Sequence, residues 1–291
     1  MKFRTEITIP SYPFNITYDD RLLFLGSCFS DHIGNYFKSN GFNSLVNPFG
    51  TLFNPFSIKL VLDMACGKEI FDERYIDFFN DRWISFAHHG KFSHPDKSTF
   101  LTKIQQVLDD THRMLKQTDY LFITFGTAYH YRHLAKDLEV VNCHKIPAKE
   151  FEKNRLTVTE IVVIYQDLIQ RLSSQNNELK IIFTVSPVRH LGDGFHENQL
   201  SKSILHIAID ELVDSERIFY FPAYEIVQDD LRDYRFYAKD LCHPSESGID
   251  YIKEKLETVF FSNETLEKLR EVEKINKLGG HREVRIFTPN H

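Results

Sequence analysis

No two cysteines in the sequence follow a C-x-x-C spacing. Cys28, Cys66, Cys143 and Cys242 are scattered along the chain, so neither a disulfide framework nor a cysteine-rich zinc site is expected, and reduced thiols are the default. No apolar run approaches the roughly 20 residues needed to cross a bilayer. Met1-Lys2-Phe3-Arg4-Thr5-Glu6 lacks the apolar core of a signal peptide, so the expectation is a soluble, cytoplasmic protein without a membrane partner. Positive charge is short as well: 35 Lys plus Arg stand against 41 Asp plus Glu, a net charge of −6, which leaves no electrostatic footprint for nucleic acid. His88, His89 and His94 crowd one segment but lack an acidic partner at helical spacing and any H-E-x-x-H pattern. They read as surface or pocket-lining histidines, with no metal and no cofactor expected.

What is present suits a full core. The 291 residues are 42% hydrophobic and 14% aromatic, enough for one large domain or for a domain with a substantial insertion. Residues 1–20 carry Pro10 and Pro13 and suit an extended arm over that core. Apolar runs at 22–25, 41–46, 120–125, 179–185 and 217–222 read as five strands. Helical patterns are predicted over 31–40, 57–66, 98–116, 156–172, 197–213 and 246–260, the first with Ser30 or Asp31 as N-cap and the fourth opened by Thr157 or Thr159. Strands alternating with helices argue for an α/β chain with a five-stranded parallel sheet covered on both faces.

Residues 56–117, between the second and third strands, exceed a simple crossover and read as an inserted helical and aromatic segment, strand-poor around Tyr75 to His89 and placed where a lid or pocket would lie. Its aromatics suit core packing as well as stacking on a sugar face. A short extended piece is expected at 140–145. The domain is drawn over 1–265, with 266–291 as a C-terminal helix end and polar tail.

In parallel sheets ligands bind beyond the carboxyl ends of the strands. Polar clusters follow four of these strands: Gly26-Ser27-Cys28, Asn47-Pro48-Phe49-Gly50 with Asn54, Gly126-Thr127, and Ser186-Pro187-Val188-Arg189-His190. A serine at a strand-to-helix turn meets a substrate beside helix N-terminal N–H groups, and needs a base to take its proton. Asp240-Leu241-Cys242-His243, before the last predicted helix, has the D-x-x-H step that sets a carboxylate against one imidazole nitrogen and turns the other toward a nucleophile. The asparagines of the second cluster read either as ligand donors or as turn caps.

Gly26-Ser27-Cys28-Phe29-Ser30 resembles the naming motif of the GSCFA domain family. Asn47-Pro48-Phe49-Gly50-Thr51, Gly126-Thr127-Ala128, Asn142-Cys143-His144-Lys145, Ser186-Pro187-Val188-Arg189-His190, Asp233-Tyr234-Arg235-Phe236-Tyr237 and Asp240 with His243-Pro244 match as well, over roughly 21–260. That family is similar to the SGNH/GDSL hydrolases. The resemblance implies a flavodoxin-like three-layer fold and an esterase or deacetylase acting on an ester such as an O-acylated carbohydrate, with Ser27 as nucleophile, His243 as general base and acid, and Asp240 as orienting carboxylate.

One departure is plain. The G-x-N-D block of those enzymes carries an oxyanion-donating Asn, and Gly126-Thr127-Ala128-Tyr129 has none. Cys28 N–H, Gly50 N–H and the side chain of Asn47 or Asn54 are the replacements to weigh, with Thr127 a weaker one. Arg189 or His190 is available for an anionic part of a substrate. An acyltransferase with the same triad, a non-catalytic carbohydrate- or anion-binding module, and a thiol site at Cys28 are the rival readings.

Overall fold

The chain, in a computed structural model that describes residues 4–285 with side chains through 278, runs β1 (Arg21–Gly26), α1 (Cys28–Ser39), β2 (Asn43–Val46), α2 (Pro55–Ala65), β3 (Ile76–Phe79), β4 (Arg82–Ser85) and α3 (Lys97–Leu115). It continues through β5 (Tyr120–Phe125), β6 (Tyr129–His133), β7 (Leu138–Val140), β8 (Phe151–Arg155), α4 (Val158–Gln175), β9 (Lys180–Val185) and α5 (Phe195–Leu212). It ends with β10 (Ile218–Tyr220), α6 (Ala223–Glu225), α7 (Glu246–Phe260) and α8 (Asn263–Arg285).

Five strands form one parallel sheet in the order β10-β9-β5-β1-β2, which is the 2-1-3-4-5 order of flavodoxin-like sheets. Successive side chains of a strand point to opposite faces, and here both sets are apolar. Leu22, Phe24, Phe122, Ile182 and Phe219 pack with Phe29, Ile33 and Phe37 of α1 and Ile252, Leu256 and Phe260 of α7. Leu23, Leu25, Leu121, Ile123, Phe125, Ile181 and Phe183 pack on the other face with α2, α3, α4 and α5. The expected three-layer α/β architecture is therefore what the chain adopts. The N-terminal arm lies where it was expected: Ile16 bridges to Phe261 and Tyr12 stacks on Phe260 at 4.6 Å.

Several local expectations change. Helix α1 begins at Cys28, with Ser27 as its N-cap, rather than at Asp31 with Ser30 or Asp31 as the cap. The 56–117 segment is not strand-poor: β3 and β4 pair as an antiparallel hairpin across Asn80 and Asp81, both in the left-handed region at φ +49° and +57°, as a two-residue hairpin turn requires. Most of its aromatics are core, Phe86 and Phe100 being fully buried. Residues 129–155 hold a three-stranded sheet, β7-β6-β8, where only a short extended piece was expected. Helix α8 runs from 263 through 285, across the 265/266 boundary drawn from sequence. The polar tail beyond 285 lies outside the described residues.

Candidate functional site at the carboxyl edge of the sheet

The strand order reverses between β1 and β5, and the crevice outside such a switch point is where open α/β sheets bind ligands. At that point the chain leaves β1 through Gly26. A φ of +141° and a hypothetical Cβ only 2.3 Å from Thr124 O restrict the position to glycine. Ser27 follows in extended backbone and caps α1, but its hydroxyl makes no capping hydrogen bond. Caps of this type normally accept from an N–H of the first turn. Ser30 N–H donates instead to the Ser27 carbonyl at 2.8 Å. Ser27 Oγ is left buried, with no hydrogen-bond partner among the described residues.

The loop after β2 brackets this turn. Asn47, at φ +38°, accepts from Gly26 N–H through Oδ1 at 2.9 Å and donates from Nδ2 to Asp31 Oδ1 at 2.8 Å. Gly50 N–H donates to Asn47 O at 2.8 Å. The loop then crosses to β5, where Phe53 O accepts from both Gly126 N–H and Thr127 N–H at 2.8 Å. Thr127 Oγ1 shares a hydrogen bond with Ser201 Oγ at 3.1 Å. The donors of Asn47, Gly50, Gly126 and Thr127 are thus engaged inside the fold. Asn54 differs: its Oδ1 caps α2 by accepting from Ser57 N–H at 2.8 Å.

From the end of β9 come Arg189 and His190. Arg189 donates from Nη2 to Gln228 Oε1 at 2.8 Å, lies over the Tyr237 ring and gives its backbone N–H to Cys242 O at 3.3 Å. It therefore anchors the segment that carries Asp240 and His243. His190 donates its backbone N–H to Asn198 Oδ1 at 2.9 Å, and its ring stands edge-on to Phe53 at 5.6 Å. Its Nε2 is buried without a partner among the described residues. A Cβ placed on Gly126 would lie 3.1 Å from His190 Nε2 and 3.4 Å from Ser27 Cβ, so the imidazole and the serine border the same small space. Burial, reinforced by the Lys202 and His243 charges, pushes the His190 pKa down to about 4.

The D-x-x-H step is formed. His243 Nδ1–H donates to Asp240 Oδ2 at 2.6 Å, while Asp240 Oδ1 accepts from His243 N–H and Cys242 N–H, each at 3.0 Å. Those two backbone donors and the imidazole hold the Asp240 carboxyl down to about 2. The pair is about half exposed, unlike Ser27, and no hydrogen bond joins His243 to Ser27 Oγ. Cys28, beside the serine, has its thiol pKa pushed up by burial and by Asp31, which opposes a thiolate nucleophile.

Lys202 of α5 was not singled out from the sequence. Fully buried, it donates from Nζ to Gly126 O and Ser186 O, both at 2.7 Å, and ties the ends of β5 and β9 together. A lone lysine in a helical pattern reads as solvent-facing, so no sequence signal marks it. Among the described residues no cluster of His, Cys, Asp or Glu is arranged to hold a metal ion, and no helix is long and apolar enough to cross a membrane. A groove of about 1060 Å³ is lined by Arg4, Asp229, Arg232 and Arg235 among others and by none of the site residues.

No curated protein matches the sequence. Among solved structures the fold is similar to a carbohydrate esterase family 3 protein from Talaromyces cellulolyticus, at 9% identity and a TM-score of 0.30, covering 56% of this chain and 67% of that one. It is also similar to an acetyl xylan esterase from the rumen bacterium Butyrivibrio proteoclasticus, at 12% identity and a TM-score of 0.36, covering 86% of this chain and 66% of that one. At the level of sequence, residues 21–256 match the GSCFA family, and the chain that folds Ser27, Asn47, Gly126 and His243 onto one sheet edge belongs to it.

Proposed function

We propose that the chain is a serine esterase acting on an O-acyl ester, with Ser27, His243 and Asp240 as its triad. The observation that carries this reading is the unpartnered, buried Ser27 hydroxyl at the start of α1, on the sheet edge that also holds a formed Asp240–His243 pair. A hydroxyl in that state lacks the hydrogen bond that a purely structural N-cap serine makes.

Ser27 Oγ attacks the acyl carbon as its proton passes to His243 Nε2, and the carbonyl π electrons move onto oxygen. The C–O bond to the alcohol then breaks, the leaving oxygen takes the proton from His243, and water repeats the sequence to free the acid and restore the serine. Asp240 fixes the tautomer that makes Nε2 the base. Cys28 N–H, at the helix start, and Asn54 Nδ2 are the donors proposed for the oxyanion. The serine is closed off, so a small acyl group suits the space and His243 closes onto Ser27 with substrate in place; such links tighten in the substrate complex.

Acetylated sugars and p-nitrophenyl acetate are the probes. Wild type is expected to hydrolyse them and to be labelled by a fluorophosphonate. Ser27→Ala should lose labelling and at least about a thousandfold in kcat/KM. Equal rates for the two proteins would overturn the assignment. Acyl transfer to an added sugar in preference to water would turn the same triad into a transferase's.

A further inference from the structure

We propose that His190 is a catalytic residue: its neutral imidazole donates a hydrogen bond from Nε2 to the oxyanion formed at the Ser27 site, replacing the asparagine that the Gly126-Thr127-Ala128 segment lacks. This rests on Ser27 being the nucleophile.

The geometry is specific. Ala128 stands where the G-x-N-D pattern puts its asparagine, and a methyl group offers no donor. The same strand end keeps a glycine at 126, and the space that a side chain there would fill is bounded by His190 Nε2 at 3.1 Å, Ser27 Cβ at 3.4 Å and Phe53 O at 2.9 Å. His190 therefore reaches, from the loop after β9, the space beside Ser27 that a side chain on Gly126 would fill.

The nitrogen is buried and unsatisfied among the described residues. Leaving a buried polar group unpaired is unfavourable, and sites that bind a ligand atom are where such groups persist. Its orientation is fixed on two sides, by the backbone bond to Asn198 Oδ1 and by the Phe53 ring. Pre-set donors of this kind stabilise developing charge without reorganising at the moment of reaction.

The protonation state fits the role. Burial is the main cause of the lowered pKa, helped by Lys202, His243 and Lys153 and opposed by the carboxylate of Asp193, so the imidazole stays neutral through the physiological range. A neutral ring with hydrogen on Nε2 donates to an oxyanion and leaves Nδ1 as the acceptor. The base role remains with His243, whose Nδ1 has a carboxylate partner; among the described residues the His190 ring has none.

The test compares His190→Ala, His190→Gln and Ser27→Ala with wild type on p-nitrophenyl acetate, measuring kcat and KM separately from about pH 6 to 9, with thermal melts to verify folding. An amide side chain can donate to an oxyanion but cannot serve as a base near neutrality. His190→Ala is expected to lose about 10²- to 10³-fold in kcat with KM within a few-fold of wild type, and His190→Gln to recover at least tenfold of that loss with an unchanged pH profile. Equal losses in the Ala and Gln variants, or loss of the acid limb of the pH profile in His190→Gln, would overturn the donor role. Wild-type rates in His190→Ala, with Ser27→Ala inactive, would overturn this proposal alone. A wild type no faster than Ser27→Ala would overturn both this proposal and the triad.

Discussion

Replacing Lys202 by methionine removes the buried ammonium while nearly keeping the side-chain volume, and it should change how stability depends on pH. Burial pushes the Lys202 pKa down to about 7, against about 10.4 for a lysine in the unfolded chain. Between those values the unfolded chain holds a proton that the folded one has released, so raising the pH favours the fold. Below about pH 7 both states are protonated and the full cost of the buried charge is present. From pH 7 to about pH 8.5 this single group should add on the order of 1 to 2 kcal/mol of stability. Other groups leave that window largely clear. Burial holds His88 at about 3 and His190 and His206 at about 4, so their contribution builds up between those values and the ordinary histidine range near 6.5. Cys66 and Cys143, pushed up to about 11, act with opposite sign as the pH rises through the ordinary thiol value of about 8.5, and they do so equally in both proteins. Urea unfolding at pH 7 and about pH 8.5, with m checked for constancy, measures the effect. Wild type should gain the stated amount, and Lys202→Met should gain less than about a third of it. The variant also strips the donor from Gly126 O and Ser186 O, so its stability at high pH should fall below that of wild type. Equal gains in both proteins would refute the reasoning that a charged Lys202 is confined under the site.

Asp240→Asn should keep the fold while lowering kcat about 10²- to 10³-fold, because an amide facing His243 Nδ1 no longer enforces the tautomer that leaves Nε2 free; steady-state kinetics with melts as control checks this. Asn47→Ala removes the acceptor of Gly26 N–H and the donor to Asp31 and puts an alanine at φ +38°, for an expected loss on the order of 2 to 3 kcal/mol in chemical denaturation. Asn47→Gly, which suits the backbone but not the hydrogen bonds, should recover only part of it.

How far the sequence carries depends on where each segment sits. Strands β1, β5 and β9 are buried on both faces and therefore read as unbroken apolar runs. Helix α4 announces itself through the capping box of Thr157 and Glu160, and α7 lies where its periodicity put it. The start of α1 was missed because Cys28 and Phe29 are apolar and continue the look of the strand before them. Strands β6 and β8 are largely exposed, and their Tyr, His, Arg, Lys and Glu residues follow no clean alternation, so nothing in the letters separates them from a loop. The β3–β4 hairpin did carry a signal, Asn80-Asp81 between Phe78-Phe79 and Arg82-Trp83, which a two-residue turn explains. At the site the motif residues were legible because polar letters end apolar strands. Their division of labour was not: Asn47 and Asn54 look alike in sequence, and only packing makes one a bracket with both ends of its amide occupied and the other the N-cap of α2.

That division bears on how the proposed triad closes. Ser27 is set by the sheet and by α1, with Gly26, Asn47 and Thr124 gripping the turn, so it has little room to move toward a partner. The segment bearing His243 is pinned too, by Ala238 N–H to His243 O at 2.8 Å, by Arg189 N–H to Cys242 O and by the bridge between Tyr237 and Pro244. With both backbones held, closure of the proposed triad would fall to the His243 side chain, which is about half exposed and hydrogen-bonded to Asp240. A substrate that fills the space beside Ser27 and shields that ring from water strengthens every charge interaction within it.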